Sequence, residues 1–196
     1  MAVIVLPVKP FAEGKGRLSP ALSPAAREAL SRRLYRHVLG VVTAFQPSIT
    51  CLVVSRSEEV LALARAVGAK TLLETARGGH NSALGQAMEM LDAIGDRPVL
   101  IVSTDLPLLT REDIAAMLAL DGEAEIGIAP DVAGEGTNAL FMARAGLIPT
   151  LFGPESRIAH EHAARDAGLR CAIVQRRGLA HDIDTPADLA ILPASA

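Results

Sequence analysis

Aromatic residues are scarce in this chain of 196 residues, which contains no Trp, one Tyr and four Phe. Proteins that bind single-stranded nucleic acids stack the bases on aromatic side chains, so the composition disfavours this class of protein. The formal net charge of −3 also argues against a broad basic surface for nucleic acid. Any anionic ligand must therefore be held by local groups of cations.

Cysteine is rare, and long apolar runs are lacking. Cys51 and Cys171 stand in the apolar runs TCLVVS and RCAIVQ, so we predict two buried free thiols and neither a disulfide nor a metal pair. No uninterrupted apolar run reaches the roughly 18 residues of a membrane-spanning helix. The amino terminus has neither a basic leader nor a small-residue cleavage site. We expect a cytoplasmic protein without a membrane partner.

Short β-branched runs alternate with stretches of helical periodicity along the chain. The predicted strands are VIVLPV, CLVVS, KTLLE, PVLIVS, EIGIAP, NALFMA and CAIVQ. The predicted helices cover residues 24–45, 57–69, 81–93 and 156–167, with one more after Thr110 and a last one in TPADLAIL. This alternation predicts βαβ units and a single α/β domain over residues 1–196 with a mostly parallel sheet. The strand NALFMA follows a turn directly, so an antiparallel course is open to it.

Carboxylates follow two of the predicted elements. Asp105 in STDLPLL comes directly after a buried strand, where α/β folds bind their ligands, and a carboxylate there suits Mg²⁺. An aspartate that only shapes a turn is the alternative. Asp182 and Asp184 in HDIDTPADL point to the same side of an extended backbone, which is costly unless a cation lies between them. Asp188 is explained as the capping-box residue of the last helix. The three remaining acids together favour a metal site.

Cations follow the first strand in KPFAEGKGRLS, where Lys9, Lys15 and Arg17 surround two glycines. The segment does not match a Walker A loop, whose spacing and final Ser or Thr it lacks. A phosphate-binding loop and a solvated turn both remain open from this stretch alone.

Two further segments suit anion binding. The turn DVAGEGTNAL places glycines beside Thr137, and glycine lets backbone N–H groups approach an anion closely. The segment FGPESRIAH carries Gly153 and Ser156 ahead of a helix whose N-terminus favours phosphate. The competing interpretations are an ordinary hairpin loop and a simple N-cap at Ser156.

His160 and His162 lack a metal-ligand arrangement, so exposed or packing roles are favoured. With no G-x-S-x-G motif, the residues suit phosphoryl or nucleotidyl transfer.

The motifs LPVKPFAEGKGRLS, STDLPLL, GEGTNAL, FGPES…H and DIDTPADL resemble, in this order, the 2-phospho-L-lactate guanylyltransferase family of coenzyme F-420 biosynthesis. The resemblance covers nearly the whole chain. It implies a three-layer α/β nucleotidyltransferase fold, like that of the molybdenum-cofactor guanylyltransferases and sugar-nucleotide synthases. It also implies GTP as donor and 2-phospholactate, phosphoenolpyruvate or 3-phosphoglycerate as acceptor, with release of pyrophosphate.

The resemblance also implies roles for single residues. Two Mg²⁺ ions would be held by Asp105, Asp182 and Asp184. The nucleotide would be bound by Lys9, Lys15, Arg17 and Asn81, and Asp105, Lys15 and Arg17 would be catalytic. The acceptor phosphate would be held by Thr137, Gly153 and Ser156.

Three departures from the family pattern leave the acid open. Gly16 replaces the usual serine, Glu135 enters the Gly-Thr-Asn turn, and Arg157 replaces an aromatic residue and could pair with an acceptor carboxylate. Two alternatives stay open: another nucleotidyltransferase of this fold, acting on a sugar phosphate or molybdopterin, and a non-catalytic nucleotide-binding protein. The product, a labile anhydride, could be handed to a downstream transferase.

Overall fold

The computed structural model describes residues 1–75 and 79–192. Within these two ranges, seven strands form one sheet: β1 (Val3–Pro7), β2 (Thr50–Ser55), β3 (Lys70–Leu73), β4 (Val99–Val102), β5 (Ile126–Pro130), β6 (Thr137–Met142) and β7 (Cys171–Ile173). Their spatial order is β3-β2-β1-β4-β6-β5-β7. Neighbouring strands are parallel except that β6 runs antiparallel to both β4 and β5. The prediction of a mostly parallel sheet, with NALFMA as the exception, is confirmed.

Helices connect the strands. They are α1 (Pro24–Thr43), α2 (Glu58–Ala66), α3 (His80–Ile94), α4 (Arg111–Leu118), α5 (Ser156–Asp166) and the short α6 (Arg177–Ala180). Single turns of 3₁₀-helix cover Phe11–Glu13 and Gly16–Leu18, and a longer one covers Pro186–Ile191. The helix predicted in TPADLAIL is confirmed, with Thr185 at its N-cap, and it has the 3₁₀ form. In the described part of the chain, no helix is long and apolar enough to cross a membrane.

The core has two halves, one on each face of the sheet. Ile4 and Leu6 of β1 belong to a buried cluster shared with α1, α2 and α4. Val3 and Val5, which point the other way, belong to a second cluster shared with α3 and α5. β1 is therefore buried on both faces, which explains why it is continuously apolar in sequence. Helix layers enclose the sheet on both sides, as the three-layer prediction requires.

Local capping signals are confirmed. The Ser23 hydroxyl accepts the Ala26 N–H at 3.2 Å, and Thr110 and Asp113 form a capping box at the start of α4. The prediction for the cysteines holds only in part. Cys51 is buried in β2, and its burial raises the pKa of the thiol to about 12. Cys171 is exposed, because β7 is a short strand at the edge of the sheet where alternate positions face solvent.

The sheet order creates a crevice at one point. β1 lies between β2 on one side and β4 on the other. The chain leaves β1 toward β2 and leaves β4 toward β5, which lie on opposite sides of this strand pair. Ligands bind at such switch points in open α/β sheets. The cation segment follows β1 and Asp105 follows β4, so both groups meet at this crevice.

Candidate functional site

A cleft of about 400 Å³ opens at the carboxyl ends of β1 and β4. Residues 7–11 and 13–17 form one wall, and residues 103–105 form another. Further side chains come from α1, α3 and the segment after α6: Ser31, Leu34, His80 and Asp184. Lys9, Lys15 and Arg17 all border the cleft, which brings the cations predicted from the sequence to one space.

The loop after β1 has a constrained backbone around Lys15. Lys15 itself has a φ of 59°, in the left-handed region that non-glycine residues rarely adopt. Gly14 lies close to α1, because a Cβ there would be 2.8 Å from the Ser31 hydroxyl oxygen and the serine side chain would have to move. The two 3₁₀ turns on either side hold the loop compact. Residues in such backbone conformations cluster at functional sites, and the side chain of Lys15 contacts two carboxylates.

Three carboxylates meet beside the cleft. Asp105, Asp182 and Asp184 each offer an oxygen atom, and these atoms lie within 4.8 Å of one another. The Ile183 N–H donates to the Asp105 carbonyl at 3.2 Å, which ties the two segments together. Asp188 accepts the N–H groups of Asp184 at 3.0 Å and of Thr185 at 2.6 Å. Its predicted capping role is confirmed, and it fixes the backbone that presents Asp184.

The ammonium of Lys15 lies between two of these acids. Its Nζ is 2.5 Å from Asp105 Oδ2 and 3.2 Å from Asp184 Oδ1, and the side chain is only 8% exposed. Burial by itself would lower the pKa of Lys15, but the two carboxylates outweigh it and raise the pKa above its ordinary value. Arg17 Nη1 is 3.5 Å from Asp184 Oδ2 on a side chain that is 77% exposed. Lys15 is therefore the cation that compensates the acids.

Asp182 has a raised pKa because of its place in the cluster. Burial, together with the nearby charge of Asp105, raises its pKa to about 6, while a 3.3 Å hydrogen bond from the Asn138 amide opposes that shift. The donor set consists of oxygen atoms alone, which is what Mg²⁺ prefers. The residues present therefore fit a hard divalent cation, with the ammonium of Lys15 standing where positive charge is needed.

The predicted acceptor residues Thr137, Gly153 and Ser156 lie in β6, in the loop before α5 and at the start of α5. Thr137 begins β6, and its Oγ1 is 3.1 Å from His160 Nδ1. The Ser156 N–H donates to the Gly153 carbonyl at 3.2 Å. Ser156 is buried inside α5, whose N-cap is Glu155, so the interpretation of Ser156 as a simple N-cap is wrong.

Arg157 joins the glycine turn to α5. Its N–H donates to the Glu135 carbonyl at 3.0 Å, and its guanidinium bonds to the Gly134 carbonyl and to Glu161 at 2.7 Å. The guanidinium is thus engaged within the chain in this structure. Its contacts brace the turn that leads into Thr137.

Asn81 is placed away from the cleft lining. Its amide donates to the Phe152 carbonyl and accepts the Phe152 N–H, both at 2.8 Å. Its binding of the nucleotide stays a prediction. The neighbouring His80 borders the cleft instead, where burial, followed by the charge of Lys9, lowers its pKa to about 4. Sequence reasoning missed His80, although it opens the helix directly before Asn81.

Residues 1–193 match the family model described as "Guanylyl transferase CofC like". The chain belongs to this family. It is 35% identical over 188 residues to the phosphoenolpyruvate guanylyltransferase of Chloroflexus aggregans, covering 94% of this chain and 93% of that protein. It is 36% identical over 185 residues to the 2-phospho-L-lactate guanylyltransferase of Methanothermobacter thermautotrophicus, covering 94% and 81%.

A solved structure shows the same fold. A protein from Desulfovibrio desulfuricans G20, described as a nucleotide-diphospho-sugar transferase, superposes with a TM-score of 0.80 at 16% identity. The match covers 97% of this chain and 85% of that one. The predicted nucleotidyltransferase fold and the predicted guanylyltransferase family are both confirmed.

Proposed function

We propose that this protein transfers GMP from GTP to the phosphate of a three-carbon acid and releases pyrophosphate. The acceptor is 2-phospho-L-lactate, phosphoenolpyruvate or 3-phosphoglycerate. The observation that carries the proposal is that the cations of the first loop and three carboxylates meet at one cleft. All three acids occur in the names of similar guanylyltransferases.

The cations of the first loop would hold the triphosphate. Lys9, Lys15 and Arg17 border the cleft from the segment after β1. Arg17 is mostly exposed and free to reach a phosphate, whereas Lys15 must exchange at least part of its carboxylate contacts for phosphate contacts. Cations so placed neutralise the charge that builds on the pyrophosphate as it leaves.

The acids Asp105, Asp182 and Asp184 would hold Mg²⁺, which we take as two ions. When bound, Mg²⁺ neutralises charge on the attacking and leaving oxygens of the displacement. Asp105 and Asp184 border the cleft, and Asp182 completes the group from outside its lining. The hydrogen bonds from the Asp184 and Thr185 N–H groups to Asp188, and from the Ile183 N–H to the Asp105 carbonyl, would hold the segments that carry these acids.

The acceptor needs no general base from the chain. Its phosphate is largely ionised near neutral pH, so an oxygen of the phosphate can attack the α-phosphorus directly. The bond between this phosphorus and the pyrophosphate oxygen breaks as the new phosphoanhydride bond forms. The hydroxyl groups of Thr137 and Ser156, and the N–H of Gly153, would donate hydrogen bonds to the acceptor phosphate. The residues orient the nucleophile in this scheme.

The product belongs to coenzyme F-420 biosynthesis in this proposal. A phosphoanhydride linking GMP to the acid is labile, so a downstream transferase that joins the acid moiety to the deazaflavin is the partner we expect. We expect the protein to carry out this reaction in the cytoplasm.

The test is pyrophosphate release by the purified protein with GTP, Mg²⁺ and each of the three acids in parallel. The downstream transferase and its deazaflavin are added to trap the product. We expect release with one acid, loss of release without Mg²⁺, and inactivity of Asp105→Asn, Asp182→Asn and Asp184→Asn. Asp92→Asn, which changes an exposed aspartate on α3, is the matched control. Wild-type rates in all three site variants would contradict the metal assignment.

A further inference from the structure

A buried histidine joins the predicted acceptor residues. His160 lies in α5 and is fully buried, and its partner Thr137 is nearly so. A buried polar side chain is costly unless its hydrogen bonds are satisfied. Both ring nitrogens of His160 have partners, and each partner belongs to a segment that the proposed function assigns to the acceptor.

The partners decide which nitrogen carries the proton. The Leu151 N–H donates to His160 Nε2 at 2.9 Å, so Nε2 must be unprotonated. The neutral ring then carries its proton on Nδ1, 3.1 Å from Thr137 Oγ1. The Thr137 hydroxyl therefore accepts from the histidine, and its own proton is free to point at a ligand. This tautomer makes Thr137 a hydrogen-bond donor to the site.

The same histidine fixes the loop before α5. Its bond to Leu151 holds the backbone two residues before Gly153. The Phe152 ring packs edge-on against the imidazole, with the centroids 5.1 Å apart. Ser156 stands one helical turn before His160 on α5, so the two side chains share a helix face. The imidazole of His160 therefore lies near all three predicted acceptor residues. It contacts Thr137 directly, it binds the backbone two residues before Gly153, and it lies one helical turn after Ser156.

We propose that His160, as the neutral Nδ1–H tautomer, is the positioning residue of the acceptor site. It turns the Thr137 hydroxyl toward the acceptor phosphate as a donor and holds the 151–153 loop at the distance that lets Gly153 reach the same phosphate. This inference rests on the proposed function and extends it to a residue that itself contacts no substrate.

The environment keeps the ring neutral. Burial lowers the pKa of His160 to about 4, and the nearby backbone of Ser156 only partly opposes the shift. A protonated ring would set two N–H groups against each other at Nε2, where the Leu151 amide already donates. Neutrality and the geometry of the two hydrogen bonds are therefore consistent.

Two substitutions separate the two bonds. His160→Gln can place an oxygen near the Nε2 position, where it accepts the Leu151 N–H, but it has no donor at the Nδ1 position. His160→Asn can place its amide nitrogen at the Nδ1 position and keep the bond to Thr137. His162→Gln, on the exposed side of α5, is the matched control. Acid KM, GTP KM and kcat are measured for each by pyrophosphate release.

We expect His160→Gln to raise the acid KM about tenfold, the scale of one hydrogen bond to a charged group, while the GTP KM stays unchanged. His160→Asn should show a smaller rise, and His162→Gln none. A ¹⁵N NMR spectrum of the wild-type imidazoles, which needs no variant to fold, should show His160 with Nε2 unprotonated. A protonated Nε2, or an unchanged acid KM in His160→Gln, would overturn the inference.

The wild-type protein separates this inference from the proposed function. If it releases pyrophosphate with none of the three acids, the proposed function fails and the role of His160 falls with it. If the wild type is active and only the histidine prediction fails, the guanylyltransferase reaction stands and His160 is a packing residue.

Discussion

Replacing Lys15 should have opposite effects on metal binding and on turnover. The ammonium stands among the carboxylates that would bind the metal, so a divalent cation must compete with it. Lys15→Met keeps the length of the side chain but removes the charge and its donors. We expect the variant to bind Mn²⁺ more tightly than the wild type when no nucleotide is present.

The magnitude follows from the two contacts. Opposite charges about 4 Å apart attract by about 4 kcal/mol at an effective dielectric constant of 20. Asp105 is 27% exposed and Asp184 is 45% exposed, so water screens both pairs, and desolvation of the ammonium offsets a further part. A net competition of about 2 kcal/mol remains, which corresponds to about a thirtyfold change in affinity.

The assay is isothermal titration of metal-stripped protein with Mn²⁺ at fixed pH. Turnover is measured in parallel, and it should fall because Lys15 no longer neutralises the triphosphate. Arg17→Gln is the control, since its exposed contact with Asp184 should change Mn²⁺ affinity little while weakening GTP binding. Equal or weaker Mn²⁺ binding by Lys15→Met would refute the idea that the ammonium and the metal compete for one site.

Three further outcomes follow from other groups. Mn²⁺ affinity should fall as the pH drops through about 6. Burial and a neighbouring carboxylate raise the pKa of Asp182 to about 6, and its protonated form is a poor ligand. The Asp182→Asn variant should show a weaker pH dependence of Mn²⁺ affinity in the same titration. His160 has a folded-state pKa of about 4 against 6.5 in the unfolded chain, so its contribution to stability is full above pH 6.5 and is lost as the pH falls toward 4. Urea unfolding should therefore show the wild type losing about 2 kcal/mol relative to His160→Gln between pH 7 and pH 5, and equal slopes would contradict the buried neutral ring. Asn81→Ala releases both hydrogen bonds to the loop before α5 and should raise the acid KM; a rise in the GTP KM alone would instead support the nucleotide role that the resemblance implies.

Local signals carried much of the fold. Continuous apolar runs indicate strands that are buried on both faces, although the buried strand β6 shows that such a run does not fix the strand direction. Helix starts such as Ser23 and Thr110 are fixed by hydrogen bonds that reach only three residues along the chain. Asp188 was explained correctly by the same short-range rule. The 3₁₀ form of the last helix was not predictable in this way, because the same capping residues serve both helix types.

The candidate site was predictable only where strand ends do the positioning. Asp105 and the cations after β1 stand out because parallel strands bring their carboxyl ends to one edge. Asn81 contacts a residue 71 positions away, and His160 contacts residues 9 and 23 positions away, and no periodicity marks these pairs. Sequence reasoning described His160 only as a packing or exposed histidine.

The sequence by itself determined the alternation of strands and helices, the family, and the residue types that the site contains. Periodicity, capping and motif spacing are local properties, so they can be read without the fold. Only the tertiary structure decided that Lys15 bridges Asp105 and Asp184, that Cys171 faces solvent, and that Thr137 meets His160. Those contacts depend on the order of strands in the sheet and on the burial that each side chain finds there, and both are set by the packing of the whole chain.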